Sequence, residues 1–134
     1  MKEYLFVYGT LRPAKASTEG ASLLRQLRRV GKARVLGRLY DFGEFPGAVL
    51  DEFGGTTISG ELFELPQNRS ILNALDEYEE FDKDNGNKSL FVRTKADVEV
   101  SDGHRVKSWI YVYNRDPGDA PLITSGDYSE SQAA

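Results

Sequence analysis

The chain has 134 residues, about the length of one compact domain, which leaves no room for a second core of ordinary size. With 40% hydrophobic and 28% charged residues, its composition excludes the disordered and fibrous classes of protein. A net charge of −4 lacks the positive field that nucleic-acid binding usually requires, so we expect no nucleic-acid partner.

The residue inventory also excludes several kinds of site. The sequence has no cysteine, which removes disulfides and thiol nucleophiles and fits a reducing cytoplasm. With His104 as the single histidine, the sequence cannot supply the ligands of a zinc hydrolase, and a Ser–His–Asp triad is disfavoured. The apolar runs are too short to span a bilayer, and the N-terminus does not have the pattern of a secretory signal. We therefore expect a cytoplasmic protein that binds no metal and no membrane.

The first predicted elements are a strand and a helix. Tyr4 to Tyr8 is a short apolar run of β-forming residues stopped by Gly9, which predicts a central strand buried on both faces. From Thr18 to Val30, leucines recur at helical spacing, and Gly31 provides a stop. This segment predicts the first helix.

The rest of the chain predicts strands around one more helix. The pair Asp102-Gly103 indicates a hairpin because these residues tolerate positive φ. Since strands outnumber helices and do not alternate regularly with them, we expect an α+β fold whose mixed sheet curls toward a small barrel. One domain is expected over residues 1–128, with a frayed tail at 129–134. The predicted strands cover Ala33 to Phe42, Ala48 to Leu50, Thr57 to Leu65, Ser89 to Val100 and Arg105 to Asn114, and the helix covers roughly Asn68 to Phe81.

Glu79 does not fit its predicted surroundings. On a wheel of about 100° per residue with Ile71 at zero, Glu79 falls at about 80°, inside the apolar stripe. In one interpretation the last turn frays, and Glu79 reaches solvent or pairs with an arginine. In the other, the helix delivers a partly desolvated carboxylate into a cavity, where it can act as a general base. The carboxylates predicted to lie outside the stripe are Asp76, Glu77 and Glu80.

The end of the first strand is a candidate anion site. The segment Tyr8-Gly9-Thr10-Leu11 places a glycine where the strand stops. A glycine there lets the backbone turn and aim successive N–H groups into one concavity, which suits a carboxylate. Many strands end in Gly-Thr, so this pattern does not define a site by itself.

Two motifs, taken together, indicate a family. Tyr8-Gly9-Thr10-Leu11 follows the first strand, and Leu75-Asp76-Glu77-Tyr78-Glu79 ends the second helix. Further matching segments, in the same order, are residues 39–40, 45–48, 59–63, 91–93, 109–113 and 123–128. In this arrangement the chain resembles the gamma-glutamylcyclotransferase superfamily, in particular its small bacterial, gamma-glutamylamine cyclotransferase-like branch.

The resemblance implies a β-barrel flanked by two main helices, with a pocket at its mouth. It also implies a reaction in which the α-amine of a γ-glutamyl group attacks its own γ-carbonyl, forming 5-oxoproline and releasing an amine. Glu79 matches the catalytic glutamate, and the substrate-binding turn of Tyr8, Gly9, Thr10 and Leu11 matches the loop whose N–H groups hold the substrate's α-carboxylate. The partner is then a small γ-glutamyl molecule, and no metal or organic cofactor is required.

One position departs from the family pattern. A tyrosine often stands in a Tyr-x-Arg pattern after the catalytic helix, and this chain has Phe91 there. Tyr113 and Tyr128 are candidates to supply the missing hydroxyl, although Tyr8 and Tyr113 fit equally well as core aromatics with satisfied hydroxyls. Arg93 is a candidate to bind a substrate carboxylate, and a salt bridge to a nearby acid is the alternative.

The predicted function is a gamma-glutamylcyclotransferase-like enzyme that acts on a γ-glutamyl amine or peptide, with Glu79 as general acid and base. A non-catalytic small-molecule-binding or interaction module on the same barrel is the main alternative, and Phe91 favours it. A related acyltransferase or amidohydrolase acting on another γ-glutamyl conjugate is a third hypothesis. The leaving amine and the oligomeric state stay open.

Overall fold

In the part of the chain that the structure describes, six strands form one sheet. The structure is a computed structural model that describes residues 2–9, 22–43, 45–79, 81–82, 84 and 86–128. In chain order its elements are β1 (Glu3–Val7), β2 (Arg28–Asp41), β3 (Pro46–Leu50), β4 (Thr57–Leu65), α1 (Arg69–Tyr78), a 3-10 turn (Gly86–Lys88), β5 (Phe91–Val100) and β6 (Arg105–Tyr113).

The sheet closes into a barrel. Its strand order is β3-β2-β4-β1-β6-β5, and a further pairing of β2 with β5 joins the two ends, so that five strands close and β3 lies beyond β2. The β1–β6 pair is parallel and the other pairs are antiparallel, which makes the sheet mixed. The predicted α+β fold with a small mixed barrel is therefore confirmed.

Strand β1 is the centre of the structure, as the sequence predicts. It lies between β4 and β6, and Leu5, Phe6 and Val7 are all buried. Because successive side chains of a strand point to opposite faces, β1 contributes to two hydrophobic clusters. Phe6 belongs to the cluster formed mainly by the barrel strands, whereas Leu5 and Val7 belong to the cluster that includes α1.

Helix α1 packs on the outside of the barrel and has well-defined ends. The Asn68 side chain caps its N-terminus by accepting a hydrogen bond of 2.9 Å from the Ser70 N–H. Leu72 and Leu75 are buried in the same hydrophobic cluster as Leu5 and Val7 of β1. The helix ends at Tyr78, three residues before the predicted end, so the position of Glu79 is the C-cap.

The sequence predicts that the first helix ends at Val30, and this predicted end is wrong. Residues 22–24 are helical, but strand β2 begins at Arg28, and residues 10–21 lie outside the described residues. Arg28 and Arg29 form ion pairs with Glu64 and Glu61 of β4. Pairing with β4 satisfies backbone groups that would otherwise lie on an open strand edge, and this overrides the leucine periodicity.

The other predicted strands agree closely with the structure. The bounds of β4 are the predicted ones, and Gly103 has a φ of +92° in the hairpin between β5 and β6. The predicted tail at 129–134 lies outside the described residues. Within the ranges that the structure describes, no helix is long and apolar enough to cross a membrane.

The segment after β6 returns to the barrel and is held there by its backbone. The Ile123 N–H donates to the Leu39 carbonyl at 2.7 Å, and the Ser59 N–H donates to the Gly126 carbonyl at 2.7 Å. Gly126 has a φ of +71°, and a Cβ atom at this position would lie 2.0 Å from the Thr57 carbonyl oxygen. A glycine is therefore required here for both its backbone angle and its small size.

Replacement of Gly126 by alanine should destabilise the protein more than the same change at Gly55. Both glycines have positive φ, but an added Cβ at Gly55 meets nothing within 4 Å. We expect Gly55→Ala to lower the free energy of unfolding by about 1 kcal/mol. Gly126→Ala should lower it by about 2 kcal/mol more, because the Thr57 carbonyl must move. Urea unfolding of both variants measures the difference, and equal losses would contradict the packing described here.

Candidate active site

A cleft of about 390 Å³, including its open mouth, lies where β1 ends. Five parts of the chain meet around it: the end of β1, the start of β3, the C-cap of α1, the start of β5 and the middle of β6. Its lining combines aromatic side chains with one carboxylate and a glycine backbone. The lining residues are Phe6, Val7, Tyr8, Gly9, Phe45, Pro46, Glu79, Phe91 and Tyr111.

Gly9 lines the cleft, but the need for glycine at this position differs from the backbone turn that the sequence suggests. It is absent from the glycines with positive φ among the described residues. Instead, a Cβ atom at Gly9 would lie 2.7 Å from Cγ of Pro46, so only glycine lets the two segments approach. Gly9 is buried, and it lines the cleft without a side chain of its own. Thr10 and Leu11, the other predicted carboxylate-binding residues, lie outside the described residues.

Glu79 lies in the lining of this cleft and is partly buried. Its backbone is fixed, because its N–H donates to the Leu75 carbonyl at 3.0 Å. The Phe81 N–H donates to the Asp76 carbonyl at 2.8 Å and closes the end of the helix. Glu79 therefore lines a cavity, and its action as a base stays a prediction.

The Tyr8 hydroxyl joins three strands beneath the cleft. It donates a hydrogen bond to the Tyr111 carbonyl of β6 and accepts one of 3.3 Å from the Ala48 N–H of β3. Burial, followed by the nearby charge of Glu79, raises the pKa of Tyr8 well above its usual value. Tyr8 is therefore a neutral hydroxyl with both bonding roles filled, as the core interpretation of this residue predicts.

A buried ion pair lies beside the cleft. Arg93 donates to both carboxylate oxygens of Asp76, at 2.8 Å from Nε and 3.1 Å from the guanidinium end. The Tyr111 hydroxyl donates to the same carboxylate at 2.7 Å. Side-chain exposure is 10% for Arg93 and 9% for Asp76, so the bridge is shielded from water.

The burial of Asp76 corrects the helical wheel, which placed this residue outside the apolar stripe. Only 6% of Asp76 is exposed. The last turn of α1 lies against both β5 and β6, so its buried face is wider than the stripe of apolar residues indicates. A polar side chain on that face can be buried because Arg93 and Tyr111 satisfy it.

The structure thus favours the alternative for Arg93, a salt bridge to an acid of the same chain. The Cζ atom of Arg93 also lies 4.2 Å from the centre of the Trp109 ring, which covers the guanidinium. Arg93 is not one of the residues that line the cleft.

The remaining predicted residues lie at different distances from the cleft. Phe91 lines it directly, and Tyr113 contacts Phe91 edge-to-face with 5.7 Å between ring centres, but Tyr113 is not in the lining. Tyr128 is 5% exposed and packs in the hydrophobic cluster formed mainly by the barrel strands, and it is not one of the lining residues. Neither tyrosine therefore supplies the lining with the hydroxyl that a tyrosine at position 91 would provide.

Asp76 and Tyr111 are the site residues that sequence reasoning missed. One signal was available: Arg93 was already expected to pair with a nearby acid as one alternative, and Asp76 lies one helical turn before Glu79. Among the residues that the structure describes, no group of three or more potential ligand side chains could hold a metal ion.

Comparison with known proteins gives a consistent family. A family model described as gamma-glutamyl cyclotransferase, AIG2-like, matches residues 5–130. Gamma-L-glutamyl-butirosin B gamma-glutamyl cyclotransferase of Niallia circulans is 35% identical over 113 residues, which are 84% of this chain and 67% of that protein. YkqA of Bacillus subtilis matches at 28% identity with a TM-score of 0.73, over 98% of this chain but 41% of YkqA. An AIG2-like protein of Mus musculus shares the fold, with a TM-score of 0.75 at 22% identity over 95% of this chain and 88% of that one.

Removal of the Asp76 carboxylate should destabilise the protein strongly. Asp76→Ala leaves the Arg93 guanidinium buried without its partner, and we expect a loss of about 3 to 5 kcal/mol. Asp97→Ala is the matched control, because Asp97 also pairs with a cation at 2.8 Å, Lys107, but both side chains are more than 60% exposed. Denaturant unfolding should show little change for this control. Similar losses in the two variants would contradict the buried network.

Stability should fall at alkaline pH because two buried tyrosines retain their protons. Burial is the first cause that raises the pKa of both Tyr8 and Tyr111 above the usual 10.0, and the Asp76 carboxylate adds to it for Tyr111. Above about pH 10 the unfolded chain binds fewer protons than the folded one, so the free energy of unfolding falls by about 1.4 kcal/mol per pH unit for each tyrosine. Below that pH the two groups contribute no slope. The free energy of unfolding, measured by denaturant at a series of pH values above 10, should fall less steeply with pH for Tyr8→Phe than for the wild-type protein. An unchanged slope would refute the claim that Tyr8 keeps its proton in the folded state.

Proposed function

Since the chain belongs to the AIG2-like gamma-glutamyl cyclotransferase family, we propose that it converts a γ-glutamyl amine or peptide into 5-oxoproline and a free amine. The observation that carries the proposal is the presence of Glu79 and the Gly9 backbone in the lining of one cleft. The relative from Niallia circulans is named for the same reaction type on a γ-glutamyl conjugate.

The substrate's glutamyl end is assigned to the end of β1. Gly9 lines the cleft with its backbone alone, and a backbone N–H group at the end of a strand is a suitable donor for a carboxylate. A carboxylate bound there would leave the α-amine and the γ-carbonyl of the same molecule inside the cleft. Because the two reacting groups are already linked, the protein needs only to fold the substrate into the ring-closing geometry.

Glu79 is proposed to manage the proton. The α-amine must lose a proton before its nitrogen can attack the γ-carbonyl carbon, and the Glu79 carboxylate accepts it. A new C–N bond closes the five-membered ring, and the ring nitrogen gives up a second proton as it becomes an amide. The original C–N bond breaks, and Glu79 passes the two protons in turn to the departing nitrogen, which leaves as an ammonium. No water is consumed, and Glu79 ends in its starting form.

The tyrosines around the cleft are proposed to shape it without exchanging protons. Tyr8 and Tyr111 have pKa values raised by burial, and both hydroxyls already donate to acceptors of this chain. Their roles are to hold β1, β3 and β6 in position and to exclude water from the reacting atoms.

Glu79→Gln should remove turnover while the protein stays folded. The amide retains the shape of the side chain but cannot accept the proton, so we expect kcat for 5-oxoproline formation to fall by about 100- to 10,000-fold. The assay incubates the protein with γ-glutamyl amines and dipeptides and follows 5-oxoproline by mass spectrometry. Glu77→Gln is the control, because Glu77 is an exposed carboxylate on the same helix and its change should leave kcat as it was.

Three other outcomes would redirect the assignment. Undiminished turnover in Glu79→Gln would remove Glu79 from the mechanism. Release of glutamate instead of 5-oxoproline would indicate hydrolysis. No product from any conjugate, together with measurable binding, would indicate the non-catalytic module that Phe91 favours.

A further inference from the structure

Phe45 and Phe91 form an aromatic wall on the cleft, apart from Gly9 and Glu79, to which the proposed function assigns the glutamyl end of the substrate. The two rings meet edge-to-face, with 5.5 Å between centres and 70° between planes. Both line the cleft, and both are partly exposed. Gly9 and Glu79 account for the polar groups of the substrate, so the wall is left to face the other substituent of the scissile bond.

Further aromatic rings hold the wall in place. Phe42 contacts Phe45 with 5.6 Å between centres, and it stacks on Tyr113 at 4.2 Å. Tyr113 in turn meets Phe91 at 5.7 Å. The four rings therefore form a closed circuit of contacts, and neither Phe45 nor Phe91 can turn away without losing a neighbour. A rigid apolar face of this kind is ready to receive a ligand group without reordering.

The wall favours an uncharged ligand group over a carboxylate. A peptide-type leaving group carries a carboxylate, which needs a cation or N–H donors, and the wall consists of hydrocarbon rings. Arg93, the cation that the sequence nominated for such a carboxylate, is committed to Asp76 and covered by Trp109. An uncharged apolar group, in contrast, gains by covering exposed ring surface.

We infer that the leaving amine of this protein's substrate carries an aromatic or comparably bulky apolar group that packs on Phe45 and Phe91. This inference rests on the proposed function, because it assigns the second half of the same cleft. It names the substrate class as γ-glutamyl conjugates of arylalkyl amines, in preference to γ-glutamyl amino acids.

Three substrates that differ only in the leaving group test the inference: γ-glutamylbenzylamide, γ-glutamylmethylamide and γ-glutamylglycine. We expect kcat/KM for the benzylamide to exceed that for the methylamide about tenfold or more, from partial burial of one ring. The glycine conjugate should be no better than the methylamide. Equal values for the two amides, or a preference for the glycine conjugate, would overturn the inference.

Substitutions in the wall locate the effect. Phe91→Ala and Phe45→Ala should each reduce the benzylamide-to-methylamide ratio to about twofold, since the ring loses part of its contact surface. Phe91→Leu retains apolar volume and should keep an intermediate ratio, which separates loss of contact from a folding defect. Phe53→Ala is the matched control, because Phe53 is 94% exposed on the loop between β3 and β4 and should keep the wild-type ratio. An unchanged ratio in both wall variants would refute the wall as the subsite.

Binding measurements separate this inference from the proposed function. Titration of both amides into Glu79→Gln by calorimetry gives a ratio of Kd values that does not depend on turnover. Tighter binding of the benzylamide with no 5-oxoproline from the wild-type protein would support the subsite and remove the proposed reaction. Equal binding together with turnover of both amides would overturn the subsite and leave the reaction in place.

Discussion

The carboxylate of Asp76 is the point on which the geometry of the site depends. Helix α1 rests on the barrel through leucines, and apolar contacts are non-directional, so they leave a helix free to shift along the surface. The hydrogen bonds from Arg93 and Tyr111 to Asp76 have direction and length, and they attach the last turn of α1 to β5 and β6. Glu79 follows within one turn, so its place in the cleft is set by this attachment.

The cleft owes its shape to the two-sided burial of β1. Residues of alternating orientation on one strand enter two different clusters, and both Phe6 and Val7 reach the cleft at the end of that strand. The Tyr8 hydroxyl then joins β1 to both β6 and β3 through backbone groups. The strands that carry the lining side chains are therefore tied to one another through main-chain groups.

Local patterns in the sequence predicted the features that depend on local structure. Strand β4 matches its predicted bounds, and the hairpin at Gly103 forms with the expected positive φ. Glu79 was found because a carboxylate within an apolar stripe conflicts with its surroundings, and that conflict can be seen along the helix itself. The family resemblance named Gly9 as well, although the reason that glycine is required there is the approach of Pro46.

Features that depend on partners far along the chain could not be read in this way. Arg28 was predicted to be helical because leucine spacing is local information, whereas its pairing with Glu64 joins residues 36 positions apart. Asp76 looked like a surface acid because the helix does not show that β5 and β6 bring Arg93 and Tyr111 against it. Both errors have one cause: contacts between residues far apart in the sequence decide the strand pairing of Arg28 and the burial of Asp76.

The chemistry and the specificity of the proposed site fall to different parts of the chain. Ring closure within one molecule requires a bound carboxylate, a base and the exclusion of water, and these come from β1, the end of α1 and the buried tyrosines. β1 and the buried tyrosines are assigned no contact with the leaving group, and Glu79 meets only its nitrogen, to which it passes the two protons. Phe45 and Phe91 lie outside that machinery, so their side chains can change the amine that is accepted without altering the base. A fold that separates the two tasks can serve many γ-glutamyl conjugates with one mechanism.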